Sequence, residues 1–162
     1  MRIREIEESD WAAVWPFFDE VVADGETYAY PPGLTSDAAR RLWVQPPPAG
    51  AWVAVDEDGT VLGTATSGPN RPGRGSHVAT GSFMVDPAAR GRGVGRALGG
   101  HVLGWAREQG FHAVQFNAVV ETNVAAVALW TSLGFAVVGT VPEAFDHPEH
   151  GLVGLHVMHR LL

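Results

Sequence analysis

The sequence predicts a mixed α/β fold built on one central sheet, and three observations support this prediction. Short strand-like and helix-like segments alternate along the 162 residues, and neither an internal repeat nor a long linker interrupts them. The composition is 46% hydrophobic but only 18% charged, which is typical of a folded protein with a substantial core. We therefore expect residues 1–162 to form a single domain whose elements run strands, helix, strand, helix, strands.

The N-terminal part predicts one strand and two helices. Alternating apolar and polar residues at 2–7 indicate the strand. Residues 9–25 open on a capping serine or aspartate and close on a glycine, so they predict a helix despite an internal proline. Two prolines and a glycine make 26–35 a loop, and 36–45 form a short helix that three prolines end.

The middle of the chain predicts a hairpin and a further strand. Two β-rich runs within 51–68 flank an Asp58-Gly59 turn. After a glycine-rich loop, residues 77–85 form the next strand, in which Gly81 is expected to form a bulge.

The C-terminal half predicts two helices and three strands. Apolar residues recur at helical spacing over 94–106, and a buried strand follows at 113–120. A capped and glycine-terminated helix spans 122–134. The last two strands lie at 136–145 and 152–162.

Charge and cysteine content exclude several classes of function. The net charge of −7 and the pI near 5.4 argue against nucleic-acid and anionic-membrane partners, which require a basic face. The absence of cysteine excludes disulfides, thiolate metal sites and a cysteine nucleophile. The N-terminus lacks the apolar run of a signal peptide, so we expect a cytoplasmic protein.

A glycine-rich and basic segment precedes the third predicted helix. A helix N-terminus carries unpaired N–H groups and the positive end of the helix dipole, so a glycine-rich entry lets a phosphate approach both. The pattern lacks the Gly-Lys-Ser/Thr ending of a Walker loop and the third glycine of the dinucleotide fingerprint. It predicts another kind of anion cradle, formed by Arg90, Gly91, Arg92, Gly93, Gly95 and Arg96.

Two motifs in this half resemble those of one enzyme superfamily. The run MVDPAARGRGVGRAL, with Arg90, Gly93 and Gly95, resembles the acetyl-CoA-binding motif of the GNAT N-acetyltransferases, Gln/Arg-x-x-Gly-x-Gly/Ala. The run NVAAVALWTSLGF, which begins at Asn123, is similar to that superfamily's second signature. The two motifs occur in the superfamily's order and are joined by one strand, so we expect a GNAT-like acyltransferase.

The resemblance implies an architecture and a cosubstrate. A mixed, mostly antiparallel sheet flanked by helices would contain two splayed central strands, with the pantetheine arm of acetyl-CoA between them and its pyrophosphate on the glycine-rich segment. A backbone N–H near Met84 or Val85 would stabilise the oxyanion. For Asn123 a plain helix cap is an equal alternative. The residues expected to bind acetyl-CoA are Phe83, Met84, Val85, Arg90, Gly91, Arg92, Gly93, Val94, Gly95, Arg96, Asn123 and Trp130.

The resemblance also implies direct attack of an amine on the thioester in a ternary complex. Superfamily members often carry a tyrosine seven residues after the asparagine, where it protonates the leaving thiolate, but this chain has Trp130 there. An indole is not an acid of useful strength, so we expect the role to be vacant or taken by water. The candidate bases are Glu26 and His77 first, followed by Asp86 and Glu121.

Four segments are together similar to one branch of the superfamily, namely GETYAYP, GSHVATGSFMV, FNAVVETN and GTVPEAFDHPEHG. That branch includes the yeast enzyme for azetidine-2-carboxylate and related proline analogues. This implies a small amino acid or analogue as the acceptor, with Asn117 either binding its carboxylate or acting as an ordinary strand amide. Thr80 stands where that branch would have an asparagine. Thr27 and Tyr28 lie in the loop where acceptor specificity is usually set, and homodimers are common in the superfamily.

Three alternatives remain at this stage. The histidines at 147, 150, 156 and 159 could suggest a metal site, but His156 and His159 would face opposite sides of a strand, so we expect no metal. The tryptophan at position 130 is compatible with a non-catalytic acyl-CoA sensor. A peptide amine could also replace the small-molecule acceptor.

Overall fold

The computed structural model describes all 162 residues and contains seven strands and four α-helices. The strands form one sheet in the order β1-β2-β3-β4-β5-β7-β6. Every neighbouring pair is antiparallel except β4 and β5, which are parallel. The predicted mixed and mostly antiparallel fold is therefore confirmed. The elements are β1 (Arg2–Glu5), α1 (Trp11–Asp24), α2 (Ser36–Trp43), β2 (Gly50–Val55), β3 (Val61–Pro69), β4 (Val78–Val85), α3 (Val94–Glu108), β5 (Ala113–Val120), α4 (Val124–Ser132), β6 (Ala136–His147) and β7 (Gly151–Leu161).

The two faces of the sheet are covered by different helices. Helices α1 and α2 pack on one face, in a core cluster that includes Trp43 and Met84. Helix α3 packs on the other face against β2 and β3, and α4 covers β5 beside it. Because side chains alternate along a strand, Phe83 faces α4 while its neighbour Met84 faces α1.

Two local predictions were wrong. The register between β3 and β4 is continuous from Gly63–Val85 to Pro69–Ala79, so Gly81 does not form a bulge. Strand β6 runs to His147, beyond the predicted end at 145, because its last residues pair with the start of β7. The bulge nearest to the centre of the sheet lies instead in β5, between Phe116 and Val119.

The central strands separate soon after they begin. Strands β4 and β5 pair only through Val78 with Ala113 and Ala79 with Val114. Beyond these pairs, residues 80–85 of β4 have no neighbouring strand on the β5 side. The expected splay is thus present, and we refer to the gap between residues 80–85 and 115–120 as the opening.

None of the four α-helices combines the length and the apolar character needed to cross a membrane.

Candidate functional site

The register of β4 determines which backbone groups face the opening. The Asp86 N–H donates to the Leu62 carbonyl at 3.0 Å, so even-numbered residues direct their backbone groups towards β3. Odd-numbered residues of an antiparallel pair point the other way. Phe83 and Val85 therefore present their N–H and C=O groups to the opening. The expectation that the Met84 backbone contacts the pantetheine arm needs correcting, because the groups of Met84 face Thr64 on β3.

One side chain already bonds to the backbone in the opening. The Tyr28 hydroxyl donates to the carbonyl oxygen of Phe83 at 2.6 Å and accepts from the N–H of the same residue at 3.0 Å. Tyr28 belongs to the loop between α1 and α2. Burial raises the pKa of this hydroxyl, so it stays protonated and keeps donating. Phe83 and Val85 are the two residues that face the opening near its wide end. Only the backbone groups of Val85 have no hydrogen bond from a side chain.

Aromatic rings close the opening on the α4 side. The Trp130 ring centroid lies 4.6 Å from that of Phe83 on β4 and 4.8 Å from that of Phe116 on β5. Trp130 is buried, with 6% of its surface exposed. The indole thus packs between the two separated strands.

The glycine-rich segment, residues 90–96, leads from β4 into α3. Gly91 and Gly93 have φ angles of +76° and +78°, which side chains with a Cβ rarely adopt, and nothing lies within 4 Å of a Cβ built on either. A Cβ on Gly95 would lie 3.2 Å from Cδ2 of Leu129, so this glycine lets α3 approach α4. The three glycines serve two purposes, since two shape an open surface and one allows helix packing.

The N-terminus of α3 has no cap. The first bond of the helix runs from the Ala97 N–H to the Gly93 carbonyl at 3.0 Å, and no side chain caps the helix. The N–H groups of Val94, Gly95 and Arg96 therefore have no acceptor within the chain. Because they lie at the positive end of the helix dipole, they form a site suited to a phosphate oxygen.

The three arginines of the segment differ in their partners. Arg92 forms an ion pair with Asp56, and this hydrogen bond holds the pKa of the Asp56 carboxyl below its usual range. Arg96 donates to the Ser132 hydroxyl at 2.7 Å. Arg90 is exposed and bonds to no other side chain. Arg90 is consequently the arginine that is free to meet a ligand.

Asn123 caps the helix on the other side of the opening. Its side-chain oxygen accepts from the Ala126 N–H at 3.1 Å. This is the helix-cap alternative that the sequence left open. The side-chain NH₂ group of Asn123 makes no bond within the chain, so capping and ligand contact are compatible in this geometry.

The residues expected on the acceptor side lie in a hydrogen-bonded chain. The Asn117 NH₂ group donates to Oδ1 of Asn70 at 2.7 Å, and its Oδ1 accepts from Nε2 of Gln115 at 2.8 Å. Asn117 is exposed and sits in the β5 bulge. The Thr80 carbonyl accepts from the Ser67 hydroxyl at 2.7 Å. Both polar ends of Asn117 thus have partners, although the side chain stays accessible.

The base candidates fall at different places. Glu26 is exposed and Thr27 half-buried in the loop that also carries Tyr28. His77 lies just before β4, where its carbonyl accepts from the His112 N–H at 2.8 Å and continues the β4–β5 pairing. An extended strand rises about 3.3 Å per residue, so His77 is about 20 Å from Phe83. His77 thus lies at the closed end of the opening, and its role as a base stays a prediction.

The two other carboxylates already accept backbone bonds. Asp86 Oδ1 accepts from the Ala88 N–H at 2.8 Å, which makes it a turn residue. Glu121 Oε1 accepts from the N–H of Gly154 on β7. Glu26 is therefore the candidate with an unbonded carboxylate.

The C-terminal histidines do not converge. His147 and His150 stack with ring centroids 4.6 Å apart, whereas Nδ1 of His156 bonds to the Thr140 hydroxyl at 2.8 Å. No group of three or more His, Cys, Asp or Glu side chains is placed to hold a metal ion.

Comparisons with known proteins agree with this arrangement. The model of the Acetyltransferase (GNAT) family matches residues 3–135. The N-acetyltransferase aca1 of Schizosaccharomyces pombe is 37% identical over 61% of this chain and 47% of its own length. The L-amino acid N-acyltransferase MnaT of Escherichia coli is 33% identical over 88% of this chain and 84% of its own length. The chain therefore spans about half the length of aca1 but most of MnaT.

Two solved structures extend the similarity to the fold. A GCN5-related N-acetyltransferase from Kribbella flavida is 62% identical, with a TM-score of 0.97 over 99% of this chain and 97% of that one. The protein yncA of Salmonella typhimurium, solved with its cofactor acetyl-CoA, is 27% identical, with a TM-score of 0.84 over 100% of this chain and 94% of that one.

Proposed function

The chain belongs to the acetyltransferase (GNAT) family, and on this premise we propose that it transfers the acetyl group of acetyl-CoA to the amine of a small molecule. The acceptor is an amino acid or an amino-acid analogue. Residues 1–162 act as one N-acetyltransferase domain in this proposal.

One observation carries the proposal, namely that the opening of β4 leads directly to the uncapped N-terminus of α3. The Val85 C=O can accept from an amide N–H of an extended chain, as it would from a neighbouring strand, which leaves the Val85 N–H for the thioester carbonyl. A few residues later, the N–H groups of Val94, Gly95 and Arg96 face a phosphate site. Pantetheine has amides and CoA has a pyrophosphate, so acetyl-CoA matches both parts. Arg90 adds positive charge, and Asn123 and Trp130 flank the arm.

The chemistry follows from this placement. The amine nitrogen forms a bond with the thioester carbonyl carbon while the carbon–sulfur bond breaks, and the proton lost by the amine ends on the CoA thiol or on water. The Val85 N–H stabilises the negative charge that develops on the carbonyl oxygen. No covalent enzyme intermediate is involved, because the chain has no cysteine and no Ser/His/Asp arrangement.

Glu26 is the proposed base, acting directly or through a water molecule. It is exposed in the same loop as Tyr28, and its carboxylate accepts no bond within the chain. No side chain takes the role of acid. A free thiol has a pKa of about 8.5, so the thiolate leaves without assistance at a tolerable rate.

The acceptor class rests on the loop at 26–28 and on Asn117. Thr27, Thr80 and Asn117 are proposed to contact the acceptor, and the exposed Asn117 amide suits a carboxylate. MnaT, an L-amino acid N-acyltransferase, supports an amino-acid acceptor. The N-acetyltransferase aca1 agrees with acetyl transfer to an amine, and within that activity we propose the branch that acts on proline analogues.

The testing experiment is thiol release from acetyl-CoA, followed with a thiol reagent. The acceptor panel contains small amino acids, azetidine-2-carboxylate, phosphinothricin, polyamines, aminoglycosides and short peptides. We expect turnover with an amino acid or analogue. Turnover with peptides alone would overturn the proposed acceptor class but would still show that the protein is an acetyltransferase.

A non-catalytic acyl-CoA sensor is the second candidate, and Trp130 is the observation that favours it, since an indole cannot protonate a thiolate. The sensor binds acetyl-CoA in calorimetry but releases no thiol with any acceptor. Absence of acetyl-CoA binding would contradict both candidates.

A further inference from the structure

Tyr28 occupies the position of a missing strand partner. Where β4 leaves β5, the N–H and C=O of Phe83 would ordinarily bond to the next strand. A single hydroxyl oxygen bonds to both groups instead, as donor at 2.6 Å and as acceptor at 3.0 Å. An extended ligand that enters from α3 can therefore pair with Val85 but meets Tyr28 at the next residue that faces the opening.

The Tyr28 ring is held firmly. It stacks on Tyr30 with ring centroids 5.5 Å apart and an interplanar angle of 7°, and it meets Trp43 edge to face at 6.1 Å. Trp43 is fully buried, and its Nε1 donates to the Thr64 hydroxyl at 3.0 Å. Thr64 lies opposite Met84 in the sheet. The position of the Tyr28 hydroxyl is thus held by contacts of its ring with Trp43, which is itself hydrogen-bonded to Thr64 on β3.

The same level of the opening is closed from the opposite face. The Phe83 side chain and Trp130 contact each other there at 4.6 Å between ring centroids. The Tyr28 hydroxyl, carried by a ring on the α1–α2 face, and Trp130 on the α4 face therefore bracket the opening at the level of Phe83, the next residue beyond Val85 that faces it.

We propose that Tyr28 is a positioning residue that sets the depth at which an acyl thioester stops in the opening, and that it thereby restricts the acyl group to acetyl. The inference rests on the proposed function, because it assumes that an acyl-CoA occupies the opening. Each additional methylene must displace the hydroxyl from Phe83 or push the ring against Tyr30 and Trp43. A pocket that rejects one methylene discriminates by about tenfold.

The experiment measures the dissociation constants of CoA, acetyl-CoA, propionyl-CoA and butyryl-CoA by calorimetry, so no acceptor is needed. In the wild-type protein we expect the constant to rise about tenfold from acetyl to propionyl and again to butyryl. Y28A removes the hydroxyl and the ring, so the three acyl-CoAs should bind within about threefold of one another. Y28F keeps the ring but loses both bonds, and it should give intermediate ratios.

Tyr30→Phe is the matched control, because the Tyr30 hydroxyl makes no hydrogen bond in the chain. It should leave the wild-type ratios unchanged. The ratio between ligands is the decisive readout, since a variant that is merely destabilised loses affinity for all of them equally. If Y28A does not fold, the Y28F ratios decide.

The outcomes separate the two proposals. Wild-type ratios in both Tyr28 variants, or a wild-type protein that binds the three acyl-CoAs equally, would overturn the depth-setting role while leaving the acetyl-CoA site intact. A wild-type protein that binds neither CoA nor any thioester would instead overturn the proposed function.

Discussion

The ring centroids of Trp130 and Phe83 lie 4.6 Å apart, which joins α4 to β4 at the point where the central strands separate. Phe116 of β5 contacts the same indole at 4.8 Å. Gly99 of α3 makes room for it, because a Cβ at this position would lie 2.9 Å from Cζ3 of Trp130. One large side chain therefore packs under both edges of the opening and against α3, the helix whose N-terminus is the proposed phosphate site.

Replacing Trp130 tests whether this packing is its whole role. Trp130→Tyr keeps an aromatic ring between Phe83 and Phe116, so thiol release should continue at a rate near that of the wild type. Trp130→Ala leaves a cavity and should lower the free energy of unfolding by about 3–5 kcal/mol. Denaturant unfolding and the thiol assay measure the two effects. A folded but inactive Trp130→Tyr variant would show that the indole takes part in the reaction.

Sequence patterns predicted those parts of the site that depend on neighbouring residues. The start of α3 and the Asn123 cap both follow from local preferences. The contacts that complete the site are distant in sequence, since Tyr28 and Phe83 are 55 positions apart. Nothing near Tyr28 signals its partner, because that partner is backbone and carries no side-chain preference.

Contacts between residues far apart in sequence also explain why local patterns did not distinguish the three arginines or locate His77 relative to the opening. Three arginines in the glycine-rich segment looked equivalent, but Arg92 is paired with Asp56, which is 36 positions away on the chain. His77 is a base candidate by residue type. Its distance from the opening depends on where β4 leaves β5, and no local pattern specifies that point.

Gly93→Val should block the proposed phosphate site. Valine is disfavoured at a φ of +78°, and its methyl groups would cover the N–H groups at the start of α3. We expect the dissociation constant for acetyl-CoA to rise by at least about tenfold, a loss in keeping with charge-assisted hydrogen bonds.

Gly110→Val is the matched control for this variant. Gly110 follows the C-terminus of the same helix, has a φ of +79°, and is likewise open around its Cα. The Gly110→Val variant should carry the same backbone strain, of about 1–3 kcal/mol, but should keep the wild-type dissociation constant for acetyl-CoA. Equal losses of affinity in the two variants would mean that strain, and not the blocked site, is responsible.

The pairing of Arg4 with Asp10 predicts an acid-sensitive contribution to stability. Arg4 donates from Nη1 and Nη2 to the two carboxylate oxygens at 2.6 and 2.7 Å, and the Glu7 N–H donates to Oδ2 at 2.7 Å. The hydrogen bonds from Arg4 hold the pKa of the Asp10 carboxyl below its usual value of 3.8. Because the pKa is lowered in the folded state, the stabilisation is present above that value and is lost as the pH falls through the folded pKa.

Asp10→Asn should lower the free energy of unfolding at pH 7 by about 2 kcal/mol, since it removes a charge-assisted pair around a buried group. The variant should also lose less stability than the wild type as the pH falls below about 4. Denaturant unfolding at pH 7, at pH 5 and at a series of lower values down to about pH 2 measures both effects. Asp37→Asn, at an exposed position in the first turn of α2, is a suitable control. Parallel stability curves for Asp10→Asn and the wild type would contradict the assignment.

Asn117→Asp tests whether the exposed amide in the β5 bulge binds a carboxylate. The change places a negative charge where the acceptor carboxylate is proposed to lie, while the side chain keeps its size and can still accept from Gln115. We expect KM for the amino-acid acceptor identified in the panel to rise by about tenfold or more, as for the loss of a charged hydrogen bond. The dissociation constant for acetyl-CoA should not change.

Asn70→Asp is the matched control, one hydrogen bond further along the same chain of amides. The amide or decarboxylated form of the same acceptor separates the two explanations, because it lacks the charge that the introduced carboxylate would repel. If Asn117→Asp raises KM equally for the acid and for its uncharged form, the residue acts through the structure of β5, and the acceptor carboxylate binds elsewhere.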